Sequence, residues 1–120
     1  MKKIILFITG ILFSTFLFCQ ATIGIDSLSS HIGDSVTVCS KVYGTRYLEQ
    51  SEKQPTFLNI GAAYPNSLLT IVIFGESRKN FKDLPEKMYA DRNICITGRL
   101  AEFEGKAEII VYGPGQIKIQ

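Results

Sequence analysis

Residues 35–47 read SVTVCSKVYGTRY, and no other stretch restricts the fold as tightly. Val36, Val38 and Val42 recur on one side, while Thr37, Cys39, Lys41 and Tyr43 fall on the other. An alternation of period two puts apolar groups on one face of an extended chain, so the run predicts a half-buried β-strand. Gly44, near its end, predicts a bend or bulge. The same period returns at residues 93–99 (NICITGR), with Ile94 and Ile96 inward and Cys95, Thr97 and Arg99 outward. Residues 100–103 extend that strand.

Three further strands follow from composition and punctuation. Residues 56–61 (TFLNIG) make a short strand, and residues 68–75 (LLTIVIFG) are apolar on both faces and rich in β-branched side chains, as a central strand requires. Glu104-Gly105 predicts a tight turn, after which residues 106–112 (KAEIIVY) return until Gly113-Pro114-Gly115 stops them. The polar residues 48–55 form a loop, Pro65-Asn66 a turn, and residues 116–120 a brief closing segment. One short helix is expected near Asp83-Leu84-Pro85-Glu86, with Asp83 as cap, a proline in the first turn, an acid three residues after the cap, and Leu84 and Met88 on one side. Residues 25–33 predict a helical lead-in, capped by Asp26 or Ser27, with Leu28 and Ile32 sharing a face and Gly33 closing it. The resulting order is β–β–β–α–β–β: an all-β fold with one short helix between strands three and four, which is the five-stranded Greek-key OB-fold barrel.

The N-terminus reads as an export signal. Lys2 and Lys3 precede an apolar stretch from Ile4 to Phe18, and Cys19-Gln20-Ala21 has the small-x-small form of a cleavage site. The stretch is shorter than the roughly 20 residues of a membrane span. Lipidation at Cys19 fits less well, because the bulky Phe18 precedes it. Residues 1–20 are therefore expected to be a signal peptide, with cleavage near Cys19-Gln20 or after Ala21, and residues 21–120 a single periplasmic or secreted domain without a transmembrane segment. Removing Lys2 and Lys3 from 13 basic residues leaves 11 against 11 acidic ones, so the formal charge falls from +2 to zero. Of three cysteines two remain, an even number in an oxidising compartment.

Residues 55–61 (PTFLNIG), 64–66 (YPN), 69–75 (LTIVIFG), then Arg78 and Phe81, and 94–100 (ICITGRL) together resemble small OB-fold domains of bacterial secreted proteins and lipoproteins. Such domains also occur beside extracellular nuclease domains, where nucleic-acid binding is ascribed to them. The resemblance runs from about Ile32 to Ile119 and implies the fold more specifically than a ligand.

In such a barrel the first and fourth strands are antiparallel neighbours. Cys39 and Cys95 then lie close enough for a cross-strand disulfide, or they stand unpaired against a covering segment. The usual OB binding surface is the face of strands two and three with the loops after strands one and four. Lys41, Tyr43, Tyr47, Phe57, Asn59, Thr70 and Phe74 are its outward candidates, with Arg46, Tyr64 and Arg78 near the loops. Aromatic rings among cations are what single-stranded nucleic acids use, since bases stack on rings and phosphates seek positive charge. Phe57 and Phe74 also suit plain packing under the lead-in or C-terminal segment. Arg78-Lys79-Asn80-Phe81-Lys82 is the densest basic run, and Glu102, Glu104 and Glu108 place acid on the last hairpin. The lone His31 has neither nucleophile nor orienting acid in view, and two cysteines with one distant histidine do not make a zinc site. No carboxylate cluster of the micrococcal-nuclease kind stands out. The expectation is a non-enzymatic binding module without metal or cofactor, its partner single-stranded DNA or RNA. The other reading is a module that stabilises an envelope or secreted complex by contact with protein or glycan.

Overall fold

The computed structural model describes residues 21–120 and, in isolation, Gly10; the export-signal reading of residues 1–20 lies outside the described residues. Seven strands run in chain order: β1 (Ala21–Ile23), β2 (Ser35–Tyr47), β3 (Thr56–Ile60), β4 (Leu69–Ile73), β5 (Asn93–Phe103), β6 (Lys106–Ile110) and β7 (Ile117–Ile119). Five of them close a barrel in the order β2-β3-β4-β6-β5 and back to β2. Every pairing in the ring is antiparallel except β4 with β6. This is the OB-fold barrel that the element order predicts. β1 adds in parallel to β2, and β7 adds antiparallel to β5.

Two long strands make closure possible, because each serves two neighbours. The first half of β2 pairs with β5, from Ser35 opposite Arg99 to Lys41 opposite Asn93; its second half pairs with β3. The register slips between Val42 and Gly44, which is the bulge the sequence predicts and the point where β2 bends from one sheet to the other. β5 changes partner near Gly98, where a Cβ atom would come within 2.6 Å of the Ile109 Cγ2 atom. Only glycine lets β6 pass that closely. Inside the barrel, Val36, Val38, Val42, Ile94, Ile96 and Leu100 meet Leu58, Ile60, Leu69, Ile71, Ile73 and Ile109, all at 1% exposure or less. Burying each such side chain contributes on the order of 1.5–3 kcal/mol, so the rows of alternation are the main favourable term.

The seam between β2 and β5 is held covalently. Cys39 and Cys95 stand directly opposite each other and are joined, with Cα atoms 4.0 Å apart. Two residues away on the same outer face, the Thr37 and Thr97 hydroxyls share a hydrogen bond of 2.8 Å.

Three expectations need correction. Between β4 and β5 lie two helices of one turn each, α1 (Gly75–Arg78) and α2 (Pro85–Met88), rather than one. The residue before α2 is an extended Leu84 with no side-chain cap, so Asp83 does not cap it. The capping pattern fails because Glu86 is drawn away to Arg78. In the lead-in, a 3-10 turn over Leu28–His31, Leu28 is buried but Ile32 remains 39% exposed. A 3-10 turn has three residues per turn, so positions four apart do not share a face.

The disulfide spans a sequence separation of 56 residues. Replacing both cysteines by serine is expected to lower unfolding free energy by about 4 kcal/mol, the chain-entropy value for such a loop, read from urea midpoints. A loss below about 1 kcal/mol would mean that the hydrogen-bonded seam closes the barrel unaided.

Candidate functional site

The bulge at Tyr43 decides which side chains reach the outer face. Before it, odd-numbered residues of β2 point outward. After it, Gly44 and Arg46 face Asn59 and Phe57 of β3, while Thr45 and Tyr47 align with the inward Leu58 and Thr56. The register then lays two transverse rows over the outside of β2, β3, β4 and β6. One reads Gly44, Asn59, Thr70, Glu108; the next reads Arg46, Phe57, Val72, Ile110. At the edge of these rows the β5–β6 hairpin turns through Glu104 and Gly105, both at positive φ (50° and 77°). That is the backbone of a two-residue primed turn, and it sets Phe103 opposite Lys106 at the rim.

Between the β2–β3 loop, the β3–β4 loop and this hairpin lies a groove of about 540 Å³. Phe57, Leu48 and Arg46 line one side; Tyr64, Phe103 and Lys106 line the other; Asn59, Thr70 and Glu108 lie in its floor. The rim rings are free to receive a ligand, with Tyr64 at 74% and Phe103 at 61% exposure. Lys106 is partly committed: its Nζ donates to the Pro65 carbonyl at 2.7 Å and lies 5.9 Å from the Tyr64 ring centre. Burial pushes the Glu108 carboxyl above the usual carboxylate range. With Arg46 and Lys106 balanced by Glu104 and Glu108, the described residues lining the groove carry no net formal charge. Among the described residues no group of three or more His, Cys, Asp or Glu side chains is placed to hold a metal ion.

Of the residues singled out from sequence, Arg46, Phe57, Asn59, Tyr64 and Thr70 come together here. Lys41 and Tyr43 are outward as expected but lie before the bulge and in it, the ammonium 5.4 Å from the ring centre, and do not line the groove. Phe74 precedes α1 with Lys53 5.7 Å from its ring centre, also outside it. Tyr47 departs most from expectation. The bulge shifts the alternation by one residue, so Tyr47 points with the inward row instead of outward. There the Arg78 guanidinium stacks on it at 3.5 Å from the ring centre.

Arg78, a binding candidate by sequence, does not line the groove either. Its Nη1 donates to Glu86 Oε2 at 2.6 Å and to Thr56 Oγ1 at 2.6 Å, and its Nη2 donates to Glu86 Oε1 at 3.2 Å. This fork holds α2 onto the ends of β2 and β3, where Thr45 also donates to the Glu86 carbonyl at 2.8 Å. The hydrogen bond to Glu86 raises the Arg78 pKa against the opposing effect of burial. Burial pushes the Glu86 carboxyl up, but the hydrogen bonds and charge of Arg78 outweigh it and leave the group below its usual range. The rest of the basic run is dispersed: Phe81 enters the core, Asn80 donates to the Tyr112 carbonyl at 2.8 Å, and Lys79 and Lys82 are exposed. Phe103 and Lys106 are groove residues outside the set singled out from sequence. Their signal was present, since they flank the tight turn of the loop after the fourth barrel strand.

No protein-family profile matches this sequence, and no curated protein matches it. Among solved structures the chain is similar to a protein described as an aspartyl-tRNA synthetase from Leishmania major Friedlin, at a TM-score of 0.52 and 14% identity. The match covers 90% of this chain and 22% of that one, so the chain spans about a fifth of that protein's length. At that identity the likeness concerns the barrel fold alone.

The Arg78–Glu86 pair makes a signed prediction. Glu86 has its folded pKa below its unfolded one, so it contributes stability above the ordinary glutamate range that is lost as pH falls through it. Glu108, raised by burial, works in the opposite sense, favouring the fold at low pH and losing that contribution as pH rises. Glu86→Gln is expected to lower stability by about 2 kcal/mol at neutral pH, the value of charge-assisted hydrogen bonds, and to flatten the loss between about pH 6 and pH 3. Urea unfolding at several pH values reads both effects. An unchanged acid slope in the variant would show that the pair does not stabilise the fold.

Proposed function

We propose that the barrel is a non-enzymatic binding module that takes single-stranded nucleic acid across the groove. The observation that carries this reading is the groove itself. Three rings, Phe57, Tyr64 and Phe103, surround it on the outer face of β3, β4 and β6, with one cation on each side, Arg46 and Lys106. Bases stack on such rings whatever their sequence, each stack contributing roughly 1–3 kcal/mol, while the two cations meet the backbone. The bonded cysteines and the apolar N-terminal stretch support an oxidising compartment, so we place the module in the periplasm or outside the cell.

Among the described residues two cations flank the groove, so salt dependence should be shallow. Released counterions contribute a slope of about −0.7 per phosphate contact on a single strand, giving about −1.4 for two contacts in a plot of log affinity against log salt. A fourfold rise in salt should then weaken binding about sevenfold. Titrating labelled single-stranded DNA and RNA oligomers with the protein measures this. Phe103→Ala should weaken binding about tenfold by removing one stacking platform. Arg46→Ala should reduce the salt slope by about 0.7. Absence of saturable binding at low salt, or full affinity in both variants, would overturn the reading.

A further inference from the structure

The groove floor contains more chemistry than stacking requires. Asn59, Thr70 and Glu108 occupy one transverse row on three adjacent strands, each about 4.8 Å from the next. Asn59 is only 8% exposed, yet its amide makes no hydrogen bond with any other described residue. Among the described residues no fully enclosed side-chain nitrogen or oxygen lacks a partner, so the open atoms of Asn59 meet the groove. Among the described residues the cations sit at the sides, and the floor has none. Phosphates therefore stay at the rim, and what reaches the floor is an uncharged edge.

Resting on the reading of the groove as a single-strand site, we propose that this floor selects guanine. An ionised carboxylate only accepts hydrogen bonds, through two oxygens on one carbon. Its best partner is a pair of adjacent N–H donors. Guanine presents that pair on its Watson–Crick edge, N1–H beside N2–H₂, and next to them the O6 acceptor. Glu108 takes the two donors, and the Thr70 hydroxyl or the Asn59 amide donates to O6. The other bases fit worse. Thymine and uracil flank their one N–H with two carbonyl oxygens that repel the carboxylate. Adenine and cytosine offer one amino group beside a bare ring acceptor. Partial burial of Glu108 strengthens a charge-assisted bond there, because the surroundings compete less than bulk water.

The test uses fluorescence anisotropy of the protein with labelled oligomers of nine dT in which the central residue is dT, dG, deoxyinosine, dA or dC. The dG oligomer should bind about tenfold more tightly than the all-dT oligomer, the usual discrimination of one bidentate contact. Deoxyinosine keeps N1–H and O6 but lacks the N2 amine, and should lose most of that advantage in the unaltered protein. Glu108→Gln, which replaces one acceptor by a donor, should abolish the dG preference, and Thr70→Val should reduce it. Equal binding of all five oligomers overturns guanine selection and leaves single-strand binding standing. Failure of every oligomer to bind overturns both. Displacement of the dG oligomer by a neutral oligosaccharide of N-acetylglucosamine, but not by guanosine monophosphate, would assign the floor to a glycan and overturn the proposal.

Discussion

Closure of the barrel along β2 and β5 is the constraint on which the molecule rests. An open sheet of these strands would expose two long edges and leave one apolar face uncovered. Pairing residues 35–41 with residues 93–99 removes both problems at once and encloses the rows of valine, isoleucine and leucine. The disulfide and the threonine pair lie on the outside of this seam, where they fix its register without occupying the core. A slip by one residue would turn either Val36 and Val38 or Ile94 and Ile96 to solvent, so the register is set by burial first and by the covalent link second.

The groove is a consequence of how that closure is achieved. One strand must bend to serve two sheets, and the bulge at Tyr43 provides the bend. The same bulge reverses the facing of everything beyond it. Arg46 is brought onto the outer face beside Phe57, and Tyr47 is carried inward to lie under Arg78. A single inserted residue thus separates the side chains that meet a ligand from those that hold α2 in place. The hairpin at Glu104-Gly105 completes the groove from the opposite side by presenting Phe103 and Lys106 together.

These events explain which features were readable in the sequence. Strand positions and inward rows follow from period-two alternation, and residues 35–47 and 93–103 are strands with the predicted facing up to the bulge. Gly44 announces a bulge but not the residue at which parity changes, so unbroken alternation puts Tyr47 on the wrong face. The Arg78–Glu86 pair was hidden for a different reason. Glu86 stands where a capping acid would stand, and only tertiary structure shows that an arginine eight residues earlier claims it. Asn59 and Thr70 are outward by sequence, but their alignment with Glu108 depends on the parallel pairing of β4 with β6, which no local pattern encodes. From sequence, therefore, Glu108 is one of three acids on the last hairpin, and only the fold makes it a groove residue.

Residues 21–120 carry 11 basic and 11 acidic side chains, so no net charge of theirs draws a polyanion, and the proposed binding rests on one local surface. Amide chemical shifts of the ¹⁵N-labelled protein, followed during titration with a single-stranded oligomer, test that assignment directly. Shifts should concentrate at Gly44–Arg46, Phe57–Asn59, Thr70 and Phe103–Glu108, leaving the Cys39–Cys95 seam and Lys79–Lys82 unmoved. Shifts centred on Lys79–Lys82 or on the seam, with the groove silent, would contradict it.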